Sequence, residues 1–306
     1  MSQPLSRQSL AASKGRELAP SFRDYLAITK PKHQFVLFTC WVTMRLASPQ
    51  LPLDLVFFTL LGTAFAVASS HVFNQIIDRD IDAVMERTRE RPMAAGRIGV
   101  SSAAVFGVVL GLISLAIMAW KTNPLAVLLT VAGWFVYVVI YSYWLKRTSP
   151  WCTLIGGISG AMPTLIGWAA VTESLSPIPL LFFAFMTIWQ SPHFFALSLY
   201  RADEYRRAKI PVVVVRYGVT STLRRMLVHA PLLIACTLLL SALGVGGMFF
   251  FVTTLLMGLL YFGAIIQANR EGEKSAAVWG KRLFHASYAY MLLVFACAAV
   301  SRMTGV

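Results

Sequence analysis

The sequence predicts an all-α fold, a polytopic membrane protein built as a bundle of about nine transmembrane helices. Of its 306 residues, 57% are hydrophobic and only 13% are charged, and the mean hydropathy is +0.67. A chain this apolar exceeds what one soluble core of its size can bury. Apolar stretches of about 20 residues suit helices that cross a bilayer, because a helix satisfies its own backbone hydrogen bonds in lipid.

The predicted spans follow the apolar runs along the chain. The first run is the shortest and contains Arg45. We expect spans near residues 34–47, 54–77, 101–120, 124–144, 153–172, 178–200, 226–242, 246–267 and 283–300. The simplest organisation is one membrane-embedded domain over residues 25–306, preceded by a mobile cytoplasmic tail over residues 1–24.

The formal net charge is +14, and the positions of the basic residues along the chain indicate its orientation in the membrane. All Lys and Arg residues except Arg45, Lys121 and Arg302 lie in the amino-terminal segment or in alternate connections between the spans. Such basic segments stay in the cytoplasm. We therefore expect a multi-pass protein of the plasma membrane with its amino terminus inside and its carboxyl terminus outside. We predict that the lipid bilayer surrounds the protein, and we expect no nucleic-acid partner.

An acidic stripe ends the second apolar run. Asn74, Asp78 and Asp82 recur at every fourth residue, so they share one face of a helix over about 12 Å. Stacked carboxylates repel one another and need a cation, a basic partner or a raised pKa. Mg²⁺ binds one or two protein carboxylates together with phosphate oxygens, which predicts a diphosphate site at this cytoplasmic helix end. The alternative is a solvated helix end whose aspartates pair with nearby arginines.

A second acidic pair and several basic residues lie at other cytoplasmic span ends. Asp203 and Glu204 follow the sixth span, and two acidic clusters could hold two Mg²⁺ ions around one diphosphate. Lys146 and Arg147 end the fourth span and could contact phosphate oxygens, although basic residues at a span end also serve as an orientation signal. Lys30, before the first span, has the same two interpretations.

As a set, these motifs resemble the UbiA superfamily of intramembrane prenyltransferases and, within it, the branch that acts on haem. The similarity covers residues 25–217. It departs from the family pattern at Gln75, Lys209 and 212–214, where an Asn, a Gly and Met-Leu-Pro are expected. The matching motifs are Asn74-x-x-x-Asp78-Arg79-Asp80-Ile81-Asp82, Met85-x-Arg87-Thr88-x-x-Arg91-Pro92, Tyr141-Ser142-x-x-Leu145-Lys146-Arg147, Ile155-Gly156-Gly157-x-x-Gly160-Ala161-x-Pro163, Trp189-Gln190-x-Pro192-His193 and Glu204-Tyr205-x-x-Ala208-x-Ile210-Pro211.

The resemblance implies a Mg²⁺-dependent enzyme with its active site at the cytoplasmic end of the bundle. Such an enzyme transfers a farnesyl group from farnesyl diphosphate to a vinyl group of haem b and adds water. The haem O that results serves terminal oxidases, so a haem-accepting synthase or oxidase is a possible partner. The implied residues are Asn74, Asp78, Asp82, Lys146 and Glu204 for catalysis; Lys30, Arg87, Lys146 and Arg147 for the diphosphate; and Asp78, Asp82, Asp203 and Glu204 for the metal.

Two points stay open at the level of sequence. His193 could ligate haem iron or contact a propionate, or it could hydrogen-bond a neighbouring helix. The acceptor could also be a quinone precursor, although the Trp189 to His193 segment argues for haem. A transporter is the alternative from another class, but its carboxylates usually lie near the bilayer midplane, and the central apolar runs contain no acidic residue.

Overall fold

The computed structural model describes residues 20–304, which form helices joined by turns, with no strand in that range. In the first half these helices are α1 (Phe22–Ile28), α2 (Val36–Ala47), α3 (Leu53–Ile77), α4 (Arg79–Val84), α5 (Val100–Lys121) and α6 (Pro124–Thr148). In the second half they are α7 (Cys152–Thr172), α8 (Pro177–Tyr200), α9 (Ala202–Arg207), α10 (Val213–Ala242), α11 (Gly247–Glu271) and α12 (Ala276–Thr304).

The predicted all-α membrane bundle is confirmed. Seven segments of the described chain are long and apolar enough to cross a membrane, and the last of them, Gly247–Arg302, covers α11 and most of α12. Together with the shorter α2, these helices agree with a bundle of about nine. Most predicted spans match within a few residues. The exceptions are α10, which begins at Val213 rather than near residue 226 and is interrupted at Gly218 (φ +80°), and α12, which begins at Ala276 rather than near residue 283. The first turns of both helices carry basic residues that an apolar run does not include.

Of the predicted tail, residues 1–24, only the last five residues lie in the described part of the chain. Residues 1–19 lie outside the described part of the chain, and 22–24 belong to α1. The Ser21 hydroxyl accepts a hydrogen bond from the Asp24 N–H at 3.2 Å, and the Asp24 carboxylate accepts one from the Ser21 N–H at 3.1 Å. This reciprocal capping begins the helix at Phe22.

The helices pack around a cavity that runs into the bundle. Helix α8 packs against α7, α10 and α12, while α3 packs against α5, and α2 packs against α7. Two glycines of α7 permit close approach at the cavity wall. A Cβ at Gly156 would lie 2.5 Å from the Tyr141 ring, and one at Gly160 would lie 2.6 Å from the Gln190 amide oxygen. These small residues therefore allow the helices to approach closely.

Candidate functional site

A cavity of about 710 Å³ lies inside the bundle and is charged at one end. Its lining follows one face of α3 from Thr63 to Asp78, a rise of about 22 Å at 1.5 Å per residue. Aromatic and aliphatic side chains line much of the rest, including Trp134, Ile166 and Phe195. The charged lining residues come from helix ends and connections: Lys30, Lys32, Asp78, Asp82, Arg87, Arg91 and Lys146.

Asp78 is the centre of a buried hydrogen-bond network at the charged end. Its Oδ2 accepts from the Asn74 amide at 2.7 Å and from the Lys146 ammonium. The same Asn74 amide nitrogen donates to Ser142 Oγ at 2.9 Å, and Asn74 Oδ1 accepts from Lys30 Nζ at 2.6 Å. The second oxygen of Asp78 is buried with no hydrogen-bond partner. The network therefore leaves one carboxylate oxygen free for a ligand.

Lys30 reaches this network from the segment before α2. Its backbone φ is +51°, a left-handed conformation in which non-glycine residues are uncommon. Burial lowers the pKa of Lys30 to about 7, and the neighbouring cations Arg91 and Lys146 add to this, while Asp78 opposes it. Lys30 therefore changes charge near neutral pH.

Asp82 lies one turn beyond Asp78, and the two stay on one helical face across the break between α3 and α4. The Asp82 N–H donates to the Asp78 carbonyl at 2.8 Å. Asp82 Oδ2 accepts from Arg91 at 2.7 Å, and its carbonyl accepts from the Thr88 hydroxyl at 3.0 Å. Arg87 also lines the cavity; no ion pair joins it to another described residue. Its guanidinium is free to bind an anion.

Arg147, predicted as a diphosphate contact, lies outside this cavity lining. Its guanidinium forms a bidentate pair with Asp80 at 2.6 and 2.7 Å. It also donates to the Ile77 carbonyl at 2.8 Å. The bond from Arg147 holds the pKa of the Asp80 carboxyl at about 2. At the surface, this ion pair and the bond to Ile77 link the end of α3 to the end of α6.

The second acidic pair lies on α9. Glu204 is buried and bonded to Arg201, while Asp203 is 84% exposed and pairs with Arg206. The other oxygen of Glu204 is buried with no hydrogen-bond partner. Neither acid lines the 710 Å³ cavity, whereas the adjacent Tyr205 does. Asp203 and Glu204 are therefore not joined to the Asp78 network by a direct contact.

Two features bear on metal binding. Within residues 20–304, no three His, Cys, Asp or Glu side chains form a cluster that could hold a metal ion by themselves. Asp78 and Glu204 each have a buried carboxylate oxygen without a partner, and such an oxygen is a preferred ligand of Mg²⁺. The residues fit an ion that is shared with phosphate oxygens and water better than an ion held by protein alone.

His193 lines the same cavity and is 8% exposed. Its ring is stacked between Trp189 and Phe284, with centroid distances of 4.5 and 4.3 Å. The His193 Nδ1 lies 2.9 Å from Ser287 Oγ. Both interpretations of the sequence therefore have a basis: the imidazole is bonded to a neighbouring helix, and it also lies beside the space where a ligand would bind.

Sequence reasoning missed one polar partner of the stripe, Ser142. Ser142 accepts a hydrogen bond from Asn74 and lies in a π-helical segment of α6, Val136–Leu145. At the end of this segment, the Lys146 N–H donates to the Tyr141 carbonyl five residues earlier. The arginine pairing that the alternative interpretation predicts does occur between Arg91 and Asp82, but both residues line the cavity. The motif that contains Tyr141 and Ser142 was the available sequence signal for Ser142. The sequence does not indicate the π-type hydrogen bonding of the segment that carries Ser142.

The comparisons with known proteins agree with this architecture. The model of the UbiA prenyltransferase family matches residues 35–299. Proteins named protoheme IX farnesyltransferase are similar over most of this chain. One from Salinispora tropica is 38% identical over 296 residues, 96% of this chain and 92% of that protein. One from Hahella chejuensis is 36% identical over 279 residues, 90% of this chain and 92% of that protein.

A longer relative carries the same name. The protoheme IX farnesyltransferase of Roseiflexus castenholzii is 39% identical over 282 residues, which is 92% of this chain but 52% of that protein. The chain therefore spans about half the length of this relative.

Solved structures share the fold at low sequence identity. A digeranylgeranylglyceryl phosphate synthase structure has a TM-score of 0.77 and 17% identity, covering 92% of this chain and 98% of that chain. A UbiA homologue from Archaeoglobus fulgidus bound to DMAPP and Mg²⁺ has a TM-score of 0.66 and 14% identity, covering 88% of this chain and 99% of that chain. With the family match over residues 35–299, the chain belongs to the UbiA prenyltransferase family.

Proposed function

We propose that this protein is a protohaem IX farnesyltransferase. It transfers a farnesyl group from farnesyl diphosphate to a vinyl group of haem b and adds water, forming haem O for terminal oxidases. The observation that carries the proposal is a membrane-embedded cavity with charged groups at one end and apolar and aromatic groups beyond. That division suits a substrate with an anionic head and a long apolar tail. Relatives of that name, similar over 90% or more of this chain, support the haem acceptor.

The charged end suits the diphosphate. Lys30, Lys146 and Arg87 bring three cationic groups to the cavity lining, and cations at a leaving diphosphate stabilise the charge that develops there. Asn74 orients Asp78 through its amide at 2.7 Å. Lys146, bonded to the same carboxylate, is held where it can contact phosphate oxygens.

Mg²⁺ is the cofactor that this arrangement fits. Asp78 would hold one ion through its unpartnered oxygen, with Asp82 close to Asp78 on the same face, and Glu204 would hold a second ion through its own unpartnered oxygen. When bound, the metal supplies charge neutralisation of the diphosphate. The Archaeoglobus fulgidus homologue bound to DMAPP and Mg²⁺ is consistent with this role. For Asp203, an exposed acid paired with Arg206, metal binding stays a prediction from sequence.

The apolar part of the cavity suits the farnesyl tail and the haem. Departure of the diphosphate leaves an allylic cation, which must meet the vinyl carbon before bulk water does. Aromatic faces such as those of Trp134 and Phe195 line the space and can stabilise a cation. His193 is the haem-contacting residue in this proposal, because its stacked ring is fixed at the cavity wall.

The proposal places the charged end in the cytoplasm, with the amino terminus inside and Val306 outside. Alternation of the basic connections supports this orientation. A tag at Val306 is expected to react with a membrane-impermeant reagent only from outside the plasma membrane. Accessibility of the tag from the cytoplasm alone would overturn the orientation.

A product assay tests the reaction. Purified protein in detergent or lipid nanodiscs is given haem b, farnesyl diphosphate and Mg²⁺, and the products are resolved by chromatography and mass spectrometry. We expect a hydroxyethylfarnesyl haem that does not form when the diphosphate or the protein is omitted. Absence of any farnesylated haem, or prenylation of a quinone precursor in its place, would overturn the proposed acceptor.

A further inference from the structure

The cavity contains a histidine–tyrosine pair that the diphosphate site does not use. His71 on α3 is 7% exposed, and its Nδ1 lies 3.1 Å from the Tyr137 hydroxyl on α6. Their rings are nearly perpendicular, at 86°, with centroids 5.3 Å apart. Both residues line the cavity. A second imidazole, that of His33, lies 5.2 Å from the His71 ring. Two helices therefore hold this imidazole in one orientation.

His71 lies at the level where the reacting carbons are expected. It precedes Asn74 by three residues on the same cavity-lining face of α3. Three residues correspond to about 4.5 Å along the helix axis, away from the diphosphate and toward the middle of the bundle. The first carbon of the farnesyl group is bonded to the diphosphate, so it lies next to this level.

The reaction requires a proton acceptor at that point, and this argument rests on the proposed function. The bond between the farnesyl C1 and the diphosphate oxygen breaks, and C1 bonds to the outer vinyl carbon of haem b. The inner vinyl carbon is then a cation. A water oxygen bonds to that carbon, and one proton of the water must leave. If no group orients the water, the cation instead loses a proton from a neighbouring carbon and becomes an alkene.

We infer that His71 is the base that orients this water and takes its proton. In the tautomer that the role requires, Nδ1–H donates to the Tyr137 hydroxyl and Nε2 carries the free lone pair. Tyr137 is the positioning residue, since it fixes the tautomer and the ring plane. His193 is less suited, because its ring on α8 is enclosed by Trp189 of the same helix and by Phe284 of α12. Lys30, His33 and Arg91 are the charged or titratable groups that act on His71.

The test measures which product forms, because a purely structural role would not change the product ratio. His71→Gln, His71→Asn and Tyr137→Phe are assayed with haem b, farnesyl diphosphate and Mg²⁺ in water enriched in ¹⁸O. The wild type is expected to give the labelled hydroxyl product. Both His71 variants are expected to shift the ratio of hydroxyl to alkene product at least about 100-fold toward the alkene, the lower end of the range that general base catalysis contributes. Tyr137→Phe should shift it in the same direction by less.

His229→Gln is the matched control, because that imidazole bonds the Arg225 carbonyl within α10 and does not line the cavity. It should keep the wild-type ratio. A wild-type ratio in both His71 variants would overturn the inference. So would loss of both products in the His71 variants while Tyr137→Phe keeps the wild-type ratio. If the wild type itself forms no farnesylated haem, the proposed function has failed instead, so the two failures are distinguishable.

Discussion

The two acidic helix ends look alike in sequence and differ in the folded protein. Asp78 is fully buried and is bonded to Lys146, 68 residues away in the chain. On α9, by contrast, Glu204 pairs with Arg201 and Asp203 with Arg206, each only three residues away. The first pairing joins the ends of two long helices at the charged end of the cavity, and the second stays within one short helix and the residue before it.

The Asp78 site therefore depends on tertiary packing, because Lys146, its charged partner, is distant in the chain. The ion pairs of Asp203 and Glu204 depend only on neighbouring residues in the sequence. A buried carboxylate loses its hydration and persists as a charge only with compensating partners, so removal of one partner has a large effect. An exposed local pair is screened by water and contributes little. Glu204 lies between these cases, because it is buried yet has a local partner. The expected effects of substitution follow that order.

The largest effect is expected for Asp78→Asn. The substitution keeps the shape of the side chain but removes the charge that pairs with Lys146 and that, in the proposed function, would hold the metal. We expect the turnover number for haem farnesylation to fall about 100-fold or more, the scale of losing one preorganised electrostatic group. Asp80→Asn, at a carboxylate 62% exposed to solvent, is the matched control and should stay within about twofold. Near-normal turnover in Asp78→Asn would remove Asp78 from the metal site.

A smaller effect is expected for Glu204→Gln. The amide cannot supply the charged oxygen that is free in the structure, so we expect turnover to fall about tenfold and the Mg²⁺ requirement to rise. Asp203→Asn is the neighbouring control, with an expected change within about twofold. Mg²⁺ titrations of both variants measure the difference. An equal loss in both would support the sequence prediction that Asp203 also binds the metal.

The pH dependence of substrate binding tests Lys30. Its pKa of about 7 in the free protein means that the ammonium form is lost as pH rises through neutrality. A bound diphosphate favours the ammonium and raises this pKa, so binding takes up a proton above pH 7. We expect Kd for a non-hydrolysable farnesyl diphosphate analogue to rise several-fold from pH 6 to 9, with a limit of about tenfold per pH unit. Lys30→Arg, which stays charged, should flatten this slope; an unchanged slope would contradict the assignment.

The smallest effect is expected for Arg147→Gln. Arg147 bonds Asp80 outside the cavity, so turnover should stay within about twofold, and the free energy of unfolding should fall by less than about 1 kcal/mol. Activity assays and denaturant unfolding in detergent measure the two quantities. A tenfold rise in KM for farnesyl diphosphate would instead support Arg147 as a phosphate contact.

One departure from the family pattern has a clear structural consequence. The resemblance predicts glycine at position 209, where this chain has Lys, and Lys209 adopts a φ of +54°. Glycine enters this region without steric cost, whereas a side chain makes it unfavourable. The sequence comparison therefore located a strained turn between α9 and α10, although it did not indicate the conformation.

The sequence by itself determined the membrane class, most of the spans and the stripe of Asn74, Asp78 and Asp82. It could do so because hydropathy and helical spacing are local properties of the chain. Only the tertiary structure decided which charges meet. It bonded Lys146 to Asp78 but Arg147 to Asp80, and it brought His71 to Tyr137. Such choices depend on helix packing and on the π-type register of α6, which bring together residues that are 66 or more positions apart.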